Sequence, residues 1–350
     1  MQNKNWITEF QESFRHSREL VSFLGFSMNT HQIDEVYPLF IPRRMAEKIK
    51  KAGPDSPLAR QFLPHENELS LQGFFDPIGD QVHFKAPQLI HRYESRALFT
   101  PTSICPVHCR YCFRKNEISG SDEIFQPDFE KTLYYLRDHK EISELIFTGG
   151  DPLTLSNEKM GKYLEAFSKI SHLKDIRFHT RYPVILPSRL DPGFLNLIND
   201  FSTRFRTMSL AIHINHSDEL DKESSEAIMG LHGTQLQLLA QTVLLRGVNN
   251  SSIALLKLFD DLITLKIRPY YLHHPDQVKG GMHFYLSLEE GRKIYSEVRQ
   301  KLPGWAIPHY VLDIPGGFGK SPATGVGEHF LTYNGSLITH QEPDLFRPVH

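Results

Sequence analysis

The chain has 350 residues, 40% of them hydrophobic, and its 39 Lys and Arg against 41 Asp and Glu leave a formal charge of −2 with a pI near 6.8. So balanced a surface excludes bulk electrostatic attraction to nucleic acid or anionic membrane. No apolar run approaches the roughly 18 residues of a membrane-spanning helix, and the length suits one large domain or a core with appendages.

In chain order, residues 1–89 read as a mostly helical, peripheral region, with mixed charge and apolar spacing near 3.6 over 11–23 and 42–51. Pro54, Pro57 and Pro64 interrupt the next stretch. Residues 90–285 then alternate. Short apolar runs at 97–103, 144–148, 175–180, 207–214, 236–244 and 267–273 read as strands. Helical patterns at 129–138, 159–170, 192–199, 222–231 and 253–264 lie between them. Strand–helix alternation predicts an α/β fold with a parallel sheet or barrel, and six units fit this stretch where a complete eightfold barrel would need more. Residues 286–350 form a C-terminal segment around a glycine-rich lysine loop.

In such barrels chemistry gathers where strands end. The first strand runs into Cys105, Cys109 and Cys112, the three cysteines of the chain. Their C-x3-C-x2-C spacing lets three thiolates close on one metal centre, and three ligands on a four-iron cluster leave one iron open for chemistry. A structural zinc site with His108 or a distant histidine is the plainer alternative, but zinc sites use paired C-x2-C units and no second pair exists. A disulfide framework is disfavoured by the odd count, and no leader is legible in residues 1–24. A cluster loop of reduced thiols predicts a cytoplasmic setting.

The second strand ends in Thr148, Gly149, Gly150 and Asp151, where glycines permit close backbone approach; Asp151 alone reads equally as a turn cap. His179, Thr180 and Arg181 end the third strand, His213 and Asn215 the fourth, and Asp276 follows the sixth. In the C-terminal segment, Asp313-Ile-Pro-Gly-Gly-Phe-Gly-Lys320 resembles a phosphate loop but lacks its spacing, since Ile314 stands where a glycine would be required. A lysine there can instead form a Schiff base with pyridoxal phosphate (PLP), once it can lose its proton. Arg92 and Arg96, four apart, can converge on one phosphate if that segment is helical or turn-like.

The cysteine loop, with Phe113 and Arg114 behind it, resembles the signature of the radical S-adenosylmethionine (radical SAM) superfamily. Together with Arg92-Tyr93, Gly149-Gly150-Asp151, Asn215-His216, the run from Gln241 to Asn249, Arg268-Pro-Tyr-Tyr271, His283-Phe284 and Asp313 through Pro322, the chain resembles the lysine 2,3-aminomutases over residues 55–343. That resemblance implies a partial (β/α)6 radical SAM barrel, a 4Fe-4S cluster, S-adenosyl-L-methionine and PLP. It implies a 5′-deoxyadenosyl radical that moves the amino group of free lysine from carbon 2 to carbon 3. By the same resemblance Cys105, Cys109 and Cys112 hold the cluster, and Gly149, Gly150 and Asp151 bind the amino end of S-adenosylmethionine. Lys320 carries PLP, and Arg92, Tyr93 and Arg96 contact the phosphate side. His213 lies beside the adenosyl group and Gln241 near the cofactors. Arg114 pairs with the substrate carboxylate, while Asp276 and Asp313 hold its distal ammonium. An external electron donor such as flavodoxin or ferredoxin is implied.

Two departures matter. Clostridial-type relatives add cysteines that hold a zinc between subunits, and Ser251 stands where one such ligand would be. A homo-oligomer without that zinc is the expectation. Shorter relatives make (R)-β-lysine for elongation factor P, and the run Cys109-Arg-Tyr-Cys-Phe-Arg114 is shared with them, leaving that branch as an alternative. An aminomutase for another amino acid, and a non-catalytic iron–sulfur protein, are the remaining readings.

Overall fold

The structure is a computed structural model that describes residues 5–26, 33–118 and 127–343. Ten strands form one sheet in sequence order: β1 (Phe84–Ala86), β2 (Leu89–Tyr93), β3 (Arg96–Phe99), β4 (Glu144–Phe147), β5 (Asp175–Thr180), β6 (Thr207–His213), β7 (Gln237–Val243), β8 (Arg268–His273), β9 (His309–Ile314) and β10 (Gly319–Pro322). From β3 to β9 every neighbouring pair is parallel, while β1, β2 and β3 pair antiparallel at one edge and β9 and β10 at the other.

Each of β3 to β8 is followed by a helix: Phe129–Asp138, Asn157–Ser168, Pro192–Ser202, Lys222–Leu231, Ser252–Thr264 and Leu288–Lys301. This is the partial (β/α)6 barrel, extended by helices before it and by a hairpin after it. Each helix starts locally, because Asp128, Ser156, Asp191, Asp221, Ser251 and Ser287 each accept a hydrogen bond from a first-turn backbone N–H. Ser251 is therefore a helix cap. Between sheet and helices sit Phe99, Phe147, Phe167 and Phe178, all fully buried. Phe99 meets Phe147 and Phe167 edge-on, with ring centroids 5.2 Å apart in both pairs. Burial of each such ring contributes roughly 2–3 kcal/mol.

Three expectations change. Residues 11–23 are not one helix: Trp6–Gln11 and Ser17–Leu24 are separate, and between them Phe14 bridges Ile41 as a two-residue β contact. The first barrel strand stops at Phe99, short of residue 103, because Pro101 has no N–H to give the ladder. A sixth helix, Leu288–Lys301, joins the five that the sequence pattern marks; it is largely charged and offers few buried anchors, among them Leu288, Tyr295 and Val298.

Candidate active site

The carboxyl ends of β3 to β8 open into one cavity that also receives β2 and β10. Cys105, Cys109 and Cys112 line it, as do Gly149, Gly150, Asp151, His213 and Gln241. Arg92, Tyr93, Arg96, Arg114, Asp276, Asp313 and Lys320 line it too. Residues spread over more than two hundred positions thus share one space.

Backbone bonds shape the cysteine loop. His108 N donates to Phe40 O and Arg110 N to Gln61 O, both at 2.9 Å. Cys112 N donates to Cys109 O at 3.2 Å, a tight turn between the second and third cysteines. His108 is not among the cavity residues; its Nδ1 lies 2.9 Å from Pro38 O and its ring packs on Phe40. The zinc alternative therefore loses its local fourth ligand.

The loop after β4 locks onto the cysteine loop. Gly150 N donates to Thr102 O at 2.7 Å and Asp151 N to Ile104 O at 2.9 Å. A Cβ on Gly150 would stand 2.5 Å from Ile104 O, so only glycine fits. Gly149 has φ +105°, again a glycine conformation. The Asp151 side chain faces its own scaffold: it accepts from Leu153 N at 3.0 Å, Thr180 Oγ1 at 2.8 Å and Arg181 N at 2.6 Å. Burial pushes its pKa up to about 6 against these donors. It caps the turn and ties the β4 loop to the end of β5.

At the far side, Lys320 on β10 lies directly across from Asp313 on β9, so both side chains project from the same face. Lys320 Nζ is 2.9 Å from Asp313 Oδ2. Arg92 Nη1 adds a contact at 3.6 Å and His273 Nδ1 one at 3.8 Å. Burial opposes both charges, yet Lys320 holds Asp313 well below the usual carboxylate range, and Asp313 in turn raises Lys320. Asp276 is the converse: burial and the charge of Asp313 push it well above that range. Lys320 N also donates to Tyr93 Oη at 2.7 Å.

Arg92 to Arg96 is neither helical nor a phosphate-clasping turn but an antiparallel β2–β3 hairpin in which Tyr93 opposes Arg96. Arg96 lies over the Tyr93 ring at 3.9 Å, while Arg92 Nη2 bonds Asp80 at 2.7 Å. Arg114 is buried and held between Asp80 and Glu117, the latter at 2.9 Å.

His213 Nε2 is 2.7 Å from the Tyr111 hydroxyl, and the two rings stack. Burial, with Arg181 and His273 nearby, drives the His213 pKa well below its ordinary value, so the imidazole is neutral. Gln241 Nε2 is 3.1 Å from His179 Nε2. Asn215 is fully buried and turned to the scaffold, its Oδ1 accepting from Val243 N at 2.8 Å.

The donor set fits the groups implied. Burial and neighbouring sulfurs push the Cys105 thiol well up and the Cys112 thiol up to about 12, a penalty that a soft cationic centre removes. Arg92 Nε and Arg114 Nε are buried without a hydrogen-bond partner, leaving donors for anionic ligand groups. Lys320 supplies an amine in the same cavity.

Sequence reasoning missed Asp80, Tyr111 and His273 as members of this wall. His273 ends β8 and the strand-end rule would have found it. Asp80 has no local motif; only the fold brings it to Arg92 and Arg114.

A family model described as a 4Fe-4S single cluster domain matches residues 95–185, the stretch that carries the cysteine loop and the glycine pair. The curated L-lysine 2,3-aminomutase of Buchnera aphidicola is 32% identical over 320 residues, 89% of this chain and 93% of its own. That of Escherichia coli strain K12 is 32% identical over 326 residues, 91% of this chain and 94% of its own. Among solved structures, Streptococcus suis SuiB bound to precursor peptide SuiA overlays 61% of this chain and 46% of its own at 14% identity, with a TM-score of 0.45, too partial to bear on function.

Proposed function

The chain belongs to the lysine 2,3-aminomutase family, and from that premise we propose that it moves the amino group of free lysine from carbon 2 to carbon 3. The family's cofactors are a 4Fe-4S cluster, S-adenosylmethionine and PLP, and this chain is a radical SAM isomerase of that kind. The observation that carries the reading is one cavity in which three cysteines share space with a lysine–aspartate pair and a second buried aspartate.

When bound, the cluster and S-adenosylmethionine would supply radical chemistry at the substrate's carbon 3, and PLP would supply an aldehyde to hold the substrate nitrogen. The chain's own residues do the rest. Cys105, Cys109 and Cys112 would hold the cluster, and the Gly149–Gly150 backbone would receive the amino end of S-adenosylmethionine. Lys320 would hold PLP, with Tyr93, Arg92 and Arg96 on its flank. Arg114 would face the substrate carboxylate, its two acidic partners fixing its plane. Asp276 and Asp313 would take the distal ammonium: a cation entering beside them favours the ionised form of Asp276 and adds to the positive charge facing Asp313. Neutral His213, bonded to Tyr111, and Gln241, bonded to His179, would position the reacting groups, and the buried walls would exclude water.

Among the described residues no helix is long and apolar enough to cross a membrane. Cytoplasmic residence, a flavodoxin- or ferredoxin-type donor and a homo-oligomer without a zinc bridge complete the proposal. Ser251, the cap of its helix, supports the last point.

The test is anaerobic incubation with S-adenosylmethionine, dithionite and lysine, read by chromatography for β-lysine, with glutamate and arginine as competing substrates. Lys320→Ala should lose the bound-PLP absorbance and keep the cluster colour. Replacement of any one of the three cysteines should do the reverse. β-Lysine absent from wild-type protein carrying both chromophores would sink the substrate assignment.

A further inference from the structure

Of the three sulfurs, Cys109 has a guanidinium on it: Arg181 Nη1 donates to Cys109 Sγ at 2.9 Å. The same nitrogen touches the Tyr111 hydroxyl. Its other arm is clamped, Nη2 donating to Gln61 Oε1 at 2.8 Å and to Glu219 Oε2 at 2.6 Å. Glu219 itself is fully buried and cannot swing, since its second oxygen accepts from Asn215 N at 2.8 Å and His216 N at 3.0 Å. The guanidinium also lies 4.7 Å from the centre of the Phe62 ring. A fixed positive group, 6% exposed, thus rests against one cysteine of the trio, anchored from the N-terminal region on one side and the loop after β6 on the other.

We propose that Arg181 sets the reduction potential of the cluster through Cys109. Reduction adds one electron, drawn from an external low-potential one-electron donor, and no proton; the cluster gains one negative charge. Hydrogen bonds to the ligating sulfurs and nearby fixed charge are the protein's levers on that equilibrium. A buried cation bonded to a thiolate ligand stabilises the more negative, reduced form and raises the potential. Glu219 plays the opposing part, since its carboxylate draws charge away from the sulfur. The inference rests on the cluster half of the proposed function and is independent of lysine and PLP.

The experiment is an EPR-monitored redox titration of anaerobically reconstituted full-length protein, without S-adenosylmethionine, PLP or lysine. Arg181→Gln should bind a full iron complement and shift the reduction equilibrium about tenfold toward the oxidised form, a fall of about 59 mV for one electron. Arg181→Lys should fall part of the way. Glu219→Gln should move in the opposite direction, which keeps the idea testable if Arg181→Gln fails to load iron. Midpoints equal to wild type in Arg181→Lys and Glu219→Gln overturn the proposal. So does a loss of S-adenosylmethionine affinity in Arg181→Gln with its potential unchanged, because that result makes Arg181 a ligand-binding residue. A missing β-lysine product with the potential shift present would condemn the lysine chemistry and leave this inference standing.

Discussion

Asp276 and Asp313 are two carboxylates in one wall whose pKa values move in opposite directions: burial and Asp313 push Asp276 up, while Lys320 pulls Asp313 down. If the distal ammonium of the substrate binds between them, Asp276→Asn removes one buried counter-charge. The expected cost is about 2–3 kcal/mol, seen as a KM for lysine raised roughly 30- to 150-fold with a smaller change in kcat. With its pKa raised by burial, Asp276 gives up a proton when it ionises beside a bound cation. Affinity for lysine should therefore rise with pH, by up to about tenfold per unit below the Asp276 pKa, and Asp276→Asn should flatten that slope. A KM independent of pH in the wild type would remove Asp276 from the ammonium site. At this scale the sequence was informative wherever a residue sits at a strand end or in a short motif: the cysteines, Gly149, Gly150 and Asp276 lie where local pattern puts them. It was silent about Asp80, whose partners Arg92 and Arg114 lie 12 and 34 residues away and meet it only through the fold.

The β4 loop and the cysteine loop behave as one element, joined through Gly150 N to Thr102 O and Asp151 N to Ile104 O. Gly150→Ala inserts a methyl 2.5 Å from Ile104 O, and backbone must move to admit it. The expected strain is about 1–3 kcal/mol, too little to unfold the chain but enough to part the loops. Affinity for S-adenosylmethionine should drop about tenfold or more while the circular dichroism spectrum stays near wild type. Unchanged affinity would mean that this loop does not hold the ligand. The barrel strands were legible because parallel, doubly buried strands leave short apolar runs between caps, and each cap is a short-range signal. The break at Phe14 was not, because it depends on pairing with Ile41, a contact across 27 residues. The helix Leu288–Lys301 hid for a different reason: its few buried anchors are diluted by surface charge.

Across the whole molecule, the N-terminal region braces the site instead of lying apart from it. Gln61 contacts Arg181, Asp80 holds Arg92 and Arg114, and Glu68 accepts from Arg110 at 2.6 Å and Lys115 at 2.8 Å. The Glu68 carboxylate is fully buried, so Glu68→Gln removes the negative charge that faces both Arg110 and Lys115. Unfolding by urea should show a loss of about 3–5 kcal/mol. Burial raises the Glu68 pKa, but Arg110 and Lys115 pull it further down, to a net position below its ordinary value. Its stabilisation is therefore complete above the unfolded value and lost as pH falls through the folded one, so wild type should lose stability in acid more steeply than Glu68→Gln. Matching acid limbs would show that the pair contributes no such linkage. None of this was legible from composition, since a helical stretch of mixed charge reads as a solvated surface until its acids are seen underneath the cysteine loop.

The hairpin of β9 and β10 has one further consequence. Lys320 faces Asp313 only because the turn between them counts the right number of residues. Deleting one residue of that turn would rotate the amine to the opposite side of the ribbon, away from Asp313 and the cavity, while every side chain was still encoded. In residues 309–322, therefore, the length of the turn aims the amine as much as the residues do.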